Sequence, residues 1–338
     1  MTVTASAPTR VDLAGGTIDI WPLYLFHPGA QTLNAALTIR TFVQLERRDD
    51  DAVVLVSEDL GVTTPPLPFD MLPDDPALPL LARLTHAFGA RGVTVTTRSE
   101  SPAGAGLAGS SALTIAVTAA LNAWTGRALD AEAMLEVAKN VEAQVICVPT
   151  GLQDYRPALY GGIAAVELGP FGARRVALSI DPAALSARLA LCYTGAPRQS
   201  GINNWDITKR RIDGDAEVIA AFTRIVTATS RMRVALEAGD WPAAGACLAD
   251  EWATRKQLAP GVTTAAVDAL LDAAQETGAW AGKVCGAGGG GCLFALAPPE
   301  RIEAVRAAWR AAGAHVLDAG VDARGLEVQT HDGARHAR

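Results

Sequence analysis

The chain reads as an α+β protein, and three observations carry that reading. β-Branched or alternating runs of strand length are interspersed with alanine- and leucine-rich helical stretches, without strict βαβ alternation. A strand, a glycine-rich turn and a helix start follow one another over residues 92–124. A second glycine loop lies between two short apolar strands at 280–285 and 291–297.

Taken in order, short β-rich runs occupy residues 2–7, 10–14, 42–47 and 53–57, with Asp49-Asp50-Asp51 as the turn between the last two. The proline-rich stretch 63–79 is a surface connection, and the amphipathic run 80–90 is helical. Strand 92–98, the glycine loop and a helix to about residue 124 come next. A second helix spans about 131–145, with Asp130 as its N-cap and Glu132 in its first turn. Gly161-Gly162 precedes a strand to residue 168, and 174–180 is another. Residues 187–194 form a strand that opens the second half. Helices fill 215–238, 241–258, 264–276 and 299–312, short strands 315–318 and 325–328, and the polar residues from His331 onward fray. No internal repeat is present.

At 338 residues the chain holds two domains with cores of their own, divided near residue 185. A hydrophobic content of 49% with 19% charged residues specifies a folded protein rather than a disordered one. The net charge of −7 argues against non-specific nucleic-acid binding, which rests on lysine and arginine neutralising phosphates. Five cysteines without a C-x-x-C pair read as idle thiols of a reducing compartment, and the five scattered histidines form no zinc motif. With neither a leader-like N-terminus nor an apolar run of membrane-spanning length, the expected location is the cytoplasm, away from any membrane.

The most informative segment is Pro102-Ala103-Gly104-Ala105-Gly106-Leu107-Ala108-Gly109-Ser110-Ser111. Its glycines let the backbone approach a ligand and present N–H groups, and the helix behind adds its positive end. Ser110 and Ser111 stand at the helix mouth, positioned to cap it or to reach a metal. That combination suits a polyphosphate with a divalent cation. The segment also matches G-x-G-x-x-G, but the acidic residue a dinucleotide site needs is missing: the candidate, Asp130, is a helix cap. No Gly-Lys-Ser/Thr follows the glycines, so it is not a Walker loop.

Two further motifs accompany it. One is Pro8-Thr9-Arg10-Val11-Asp12-Leu13-Ala14-Gly15-Gly16-Thr17-Ile18-Asp19; the other is Gly282-Lys283-Val284-Cys285-Gly286-Ala287-Gly288-Gly289-Gly290-Gly291-Cys292. The three motifs, in this order and at these separations, resemble those of the GHMP kinase superfamily of small-molecule kinases, over residues 8 to about 297. The resemblance implies a fold of two α+β domains. Residues 1–185 would form an ATP-binding domain like ribosomal protein S5 domain 2, and 186–338 a ferredoxin-like domain, with the active site between them. It further implies ATP-dependent phosphorylation of an alcohol with Mg2+, by a monomer or homodimer.

Roles carry over by position. The resemblance makes Gly104 to Ser111, with Pro102, the ATP cradle. Ser110 and Glu142 become metal ligands, and Ser111 a cap or backbone donor. Asp154, in the Gly151-Leu152-Gln153-Asp154 turn, would meet the acceptor hydroxyl as base or orienting group. Phosphoryl transfer is mostly positioning and charge neutralisation, so a metal ligand and a group aimed at the nucleophile are its essentials. Arg10 resembles the arginine near the transferring phosphoryl group, and Asp19 the aspartate that binds sugar hydroxyls. Gly288 and Gly289 would approach the acceptor through backbone N–H groups, whereas Lys283 reads as solvated. The chain departs from the family pattern at Ala108 and Gly109, where a hydroxyl is missing, and at Tyr155, where many sugar kinases carry glutamine. It departs again at Gly16, an expected acceptor contact that stands where galactokinases carry a sugar-reading glutamate.

The Arg-Val-Asp-Leu-Ala-Gly-Gly-Thr-x-Asp form most resembles fucokinase domains and heptose 7-phosphate kinases, which implies a sugar acceptor phosphorylated at its anomeric hydroxyl. Trp21 and Tyr24 read either as stacking platforms for the sugar or as core aromatics. The polar stretch 194–205 offers Arg198, Asn203 and Asn204 as acceptor contacts. Lys209, Arg210 and Arg211 are a solvated helix face or an attractor for a phosphorylated sugar. Two alternatives stay open: a kinase of a mevalonate-like alcohol and a silent nucleotide and sugar sensor.

Overall fold

The computed structural model describes residues 1–197 and 204–331. Its larger sheet has eight strands. Six of them, β1 (Thr2–Ala14), β2 (Gln31–Arg47), β3 (Val53–Ser57), β4 (Val62–Thr63), β5 (Val93–Ser99) and β12 (Glu327–His331), run in the order β12-β1-β2-β5-β3-β4. The hairpin of β6 (Ile163–Gly169) and β7 (Gly172–Ala177) attaches to the first half of β2, and β3 and β5 are parallel. The smaller sheet is antiparallel and comprises β8 (Leu189–Tyr193), β9 (Ala281–Val284), β10 (Cys292–Leu296) and β11 (His315–Leu317) in the order β11-β8-β10-β9. β12 lies beyond the division at 185, yet it pairs with β1 in the larger sheet.

The helices are α1 (Pro79–Phe88), α2 (Gly109–Thr125), α3 (Ala131–Ile146), α4 (Tyr155–Tyr160), α5 (Pro182–Ser186), α6 (Asn204–Ile212), α7 (Ala216–Glu237), α8 (Trp241–Arg255), α9 (Ala265–Glu276) and α10 (Ile302–Ala311). Asp130 caps α3, accepting the Ala133 N–H at 2.8 Å. Asp215, Asp240 and Thr264 cap α7, α8 and α9 in the same way, as those sequence positions lead one to expect.

One core packs α1, α2 and α3 against one face of β1, β2, β3 and β5. A second joins the two sheets: Val11, Leu13, Leu33 and Leu37 meet Met232, Leu248, Phe294 and Leu296. This shared core lets the two glycine loops sit face to face.

Three readings change. Residues 2–7 and 10–14 are one strand; the register against β2 shifts between Pro8 and Thr9, where proline supplies no N–H to the ladder. The strand signal at 42–47 is the end of a 17-residue strand that begins at Gln31. Its first seven residues are all buried, so the alternation that betrays a half-exposed strand is missing there. Helices α4, α5 and α6 have no counterpart in the sequence reading, being short or polar.

Candidate active site

A cleft of about 750 Å³ runs between the glycine loop, the end of α3, the turn before α4, and the start of α6. Pro102, Gly104, Ala105, Gly106, Ala108, Gly109, Ser110 and Ser111 line it, and so do Arg10, Asp19, Glu142 and Asp154. Helix α2 starts after Ala108, which has φ 59° and makes no side-chain cap. The first amides of α2 are thus left to a ligand, at the positive end of a 17-residue helix.

Two glycines set this loop against the C-terminal one. Gly106 has φ +77°, and a Cβ there would run into the Cys285 carbonyl. A Cβ at Gly291 would lie 2.6 Å from the Ala105 oxygen. The Cys292 N–H donates to that same oxygen at 2.7 Å, so the C-terminal loop holds the N-terminal one in shape.

Arg10, buried just past the first register shift of β1, joins three parts of the site. Its backbone N–H donates to the Leu107 oxygen at 3.0 Å, and its Nη1 to the Gly106 oxygen at 2.9 Å. Its Nε and Nη2 both donate to Asp154 Oδ1, at 2.9 and 2.6 Å. Both bonds fall on one oxygen, which leaves Oδ2 without an arginine bond. Asp154 stands at the start of α4 without bonding its own backbone, so the simple turn-residue role is absent.

Asp19 is 1% exposed and accepts the Leu152 and Gln153 N–H groups on Oδ2, at 2.6 and 2.9 Å. Its carboxylate lies so close to Gly151 that a Cβ there would meet it, which explains the glycine of the Gly-x-x-Asp turn. Burial pushes the Asp19 carboxyl up to about 6, and the charge of Asp154 adds to the shift against the two backbone bonds. The folded protein therefore holds a proton that the unfolded chain, with its ordinary value of 3.8, releases. Stability is lost as pH rises through that window. Asp19→Asn, which needs no charge, is expected to unfold at higher urea than the parent at pH 8. That margin should vanish by about pH 4, and urea midpoints at both pH values check it.

Glu142, on the last turns of α3, is 4% exposed. Ser111 Oγ donates to its Oε2 at 2.9 Å, and the Ser110 and Tyr155 hydroxyls stand near it. Burial pushes its carboxyl up, against the pull of those hydroxyls. Burial and the neighbouring Glu142 push the Tyr155 phenol up in turn. A buried carboxylate with hydroxyl donors and no cation, beside the open amides of α2, has the hard-oxygen chemistry that Mg2+ requires. Among the described residues no group of three or more His, Cys, Asp or Glu side chains forms a metal cage. The residues fit an ion held by one carboxylate and hydroxyls together with its ligand's phosphates.

Behind the cleft lies a buried quartet. Lys283 Nζ contacts Asp12 Oδ2 at 3.3 Å and both Glu251 oxygens at 3.1 Å. Arg255 Nη1 contacts Asp12 at 2.9 Å and Glu251 at 3.3 Å. Arg255 Nη2 reaches the Thr17 hydroxyl and the Gly286 oxygen, both at 3.1 Å. Burial works against the charge of Asp12, but Lys283 and Arg255 outweigh it and hold the carboxyl below the ordinary value.

Several expectations are corrected. Lys283 is not solvated but fully buried. Ser111 does not cap α2; it binds Glu142 beside Ser110. Leu107 points into the shared core and only its carbonyl serves the site. Gly16 lies outside the cleft against the Asp12–Arg255 pair. Gly288 and Gly289 also face away, the Gly289 N–H donating to the Val262 oxygen at 3.0 Å, while Gly286 and Ala287 line the cleft. Trp21 is 68% exposed and outside the cleft, so it is not a core aromatic, whereas Tyr24 is buried. Lys209 and Arg210 pair with Asp213 and Asp215, and Arg211 donates to His27, so none lines the cleft. Arg198 and Asn203 lie outside the described residues. The sequence reading missed Arg255 as a cleft residue and gave Gln153 no role beyond the turn, whereas Asn204, an expected acceptor contact, lines the cleft. Arg255 lies on a helix outside every motif, and only its i,i+4 spacing from Glu251 marked it.

Two family models match the chain: "GHMP kinases N terminal domain" over residues 77–162 and "GHMP kinases C terminal" over 232–315. The chain is 26% identical over 314 residues to a D-glycero-alpha-D-manno-heptose 7-phosphate kinase of Campylobacter jejuni, covering 89% of this chain and 91% of that protein. It is 26% identical over 352 residues to a mevalonate kinase of Thermococcus sibiricus, covering 97% and 99%. The crystal structure of Lactococcus lactis galactokinase complexed with galactose superposes with a TM-score of 0.76 at 20% identity, over 96% of this chain and 95% of that one. No helix among the described residues is long and apolar enough to cross a membrane.

Proposed function

This chain belongs to the GHMP kinases, alcohol-acceptor phosphotransferases that use ATP, and from that premise we propose that it phosphorylates a sugar or sugar phosphate, at the anomeric C1 hydroxyl. One observation carries the reading. A buried arginine holds a carboxylate, Asp154, in the same cleft as an uncapped helix start and a second buried carboxylate, Glu142.

In this reading the amides at 104–111 hold the triphosphate, and the leucine-lined end of the cleft at Leu60, Leu78 and Leu80 takes the base. Glu142 and Ser110 would hold Mg2+, which when bound neutralises charge between the phosphates. Asp154 Oδ2 orients the acceptor hydroxyl and receives its proton as the oxygen attacks the γ-phosphorus and the bond to the β-phosphate oxygen breaks. Arg10 keeps Asp154 aimed while its Nη1 braces the loop. Asp19 binds a second hydroxyl.

The C1 position is supported by the paired-glycine form of the first motif, and the sugar class by the heptose 7-phosphate kinase relative. The mevalonate kinase relative favours a second reading, a non-sugar alcohol. An acceptor panel with direct detection of the phosphorylated product separates the two, and phosphate transfer to mevalonate-type acids alone would overturn the sugar reading. Glu142→Gln is expected to fold at least as well as the parent, since burial already disfavours the charge. It should lower kcat on the order of 10²-fold and raise the Mg2+ concentration needed for half-maximal rate. A magnesium titration of initial rates checks both.

A further inference from the structure

One wall of the cleft is a turn that its own backbone disfavours. Thr17 lines the cleft, is 8% exposed and has φ 75°, in the left-handed region. A β-branched residue is strained there, whereas glycine would adopt the same angle freely. The Thr17 carbonyl accepts the Ile20 N–H at 3.3 Å, and Ile18 and Ile20 are buried in the core beneath the turn. Asp19, between those two isoleucines, accepts the Leu152 and Gln153 N–H groups, and Asp154 follows directly. The 17–20 turn thus sets the place of the 151–154 turn.

The strained residue is held by Arg255, the last residue of α8. Its Nη2 donates to the Thr17 hydroxyl and to the Gly286 oxygen, each at 3.1 Å, and its Nη1 donates to Asp12 Oδ2 at 2.9 Å. The guanidinium lies against the Gly16 backbone, where a Cβ would come within 2.5 Å of Nη1 and 2.8 Å of Nη2. The bare backbone of Gly16 is what admits Arg255 to the turn. A glycine at 17 would relieve the strain and give Arg255 no hydroxyl to hold.

We infer that Thr17 and Arg255 are positioning residues for phosphoryl transfer: the bond between them fixes the 17–20 turn and, through Asp19, the geometry in which Asp154 meets the acceptor. The inference rests on the kinase reading above, and neither residue needs to touch the substrate. A misplacement of about 1 Å at the reacting groups costs on the order of 10²-fold in rate, so losing this bond reaches the chemistry.

The test uses whichever sugar, sugar phosphate or mevalonate-type acid the parent turns over fastest, with direct detection of the phosphorylated product. Thr17→Gly, which removes the strain together with the hydroxyl, should keep a urea midpoint close to the parent's. Its kcat/KM for the acceptor should fall roughly 10–100-fold, with the dissociation constant for ATP within about twofold. Thr17→Ser keeps the hydroxyl and should stay within about threefold of the parent. Arg255→Lys keeps a charge beside Asp12 and Glu251 but loses the fork that spans Thr17 and Gly286, and it should show the same acceptor defect. The double variant should be no worse than about twofold below the poorer single one, because both changes break one bond. A residue that merely stabilises the fold would lose urea resistance and ATP binding in step with rate. Parental kcat/KM in Thr17→Gly, a Ser variant as impaired as Gly, or defects that multiply in the double variant overturn the inference. A parent that binds ATP yet phosphorylates none of these acceptors overturns the kinase reading, and this inference with it.

Discussion

Asp154→Asn should lower kcat by roughly 10²–10⁴-fold while the dissociation constant for ATP stays within about twofold. The asparagine oxygen still accepts from Arg10, so the turn before α4 and the brace between Arg10 and the Gly106 oxygen stay in place. What is lost is the second carboxylate oxygen, the one without an arginine bond, and with it both the proton acceptor and the negative charge beside the attacking hydroxyl. Steady-state rates paired with ATP binding by calorimetry make the test. A variant with more than about a third of parental kcat would remove Asp154 from the chemistry. A loss of ATP binding equal to the loss of rate would make it a scaffold for the nucleotide end. Arg10→Met should follow the same direction with an added structural penalty, because it leaves Asp154 without its partner and the Gly106 carbonyl without its donor.

Lys283→Met is expected to cost about 3–5 kcal/mol of stability, the cost of leaving a buried charge uncompensated. Lys283 is fully buried, and Asp12 and Glu251 beside it are as well. Without the lysine, Arg255 alone faces two carboxylates. Removing Glu251 as well, in Lys283→Met/Glu251→Gln, returns the site to one cation and one anion and should recover much of the loss. Urea denaturation of the three proteins measures it. A single-variant loss below about 1 kcal/mol, the range of surface pairs, would mean that water reaches the quartet. The effect bears on function because Arg255 of the same quartet binds Thr17, two residues before Asp19, and the Gly286 carbonyl at the cleft wall.

Much of the site was legible from local patterns. The glycine spacing at 104–109 needs no partner to be read, because positive φ and absent side chains are properties of the residue itself. Caps at Asp130, Asp215, Asp240 and Thr264 are equally local. Harder to see was the 31–41 segment, since a strand buried on both faces carries no alternation. Gly288 and Gly289 were placed at the acceptor for their glycine content, but that content instead accommodates Val262 packed against the loop. Trp21 was weighed as a stacking platform or a core aromatic, yet it stands exposed outside the cleft.

Residue order alone was enough to establish the α+β class, the phosphate-type loop at a helix start, and the kinase resemblance, because each rests on local patterns and their order along the chain. The partners of those motifs came from elsewhere. Arg10 meets a residue 144 positions away, Asp12 one 243 positions away, and Lys283 is buried by both sheets at once. Such pairings depend on how two sheets share a core, and a charge's fate, solvated or sealed, is decided by what packs over it, which no local pattern encodes.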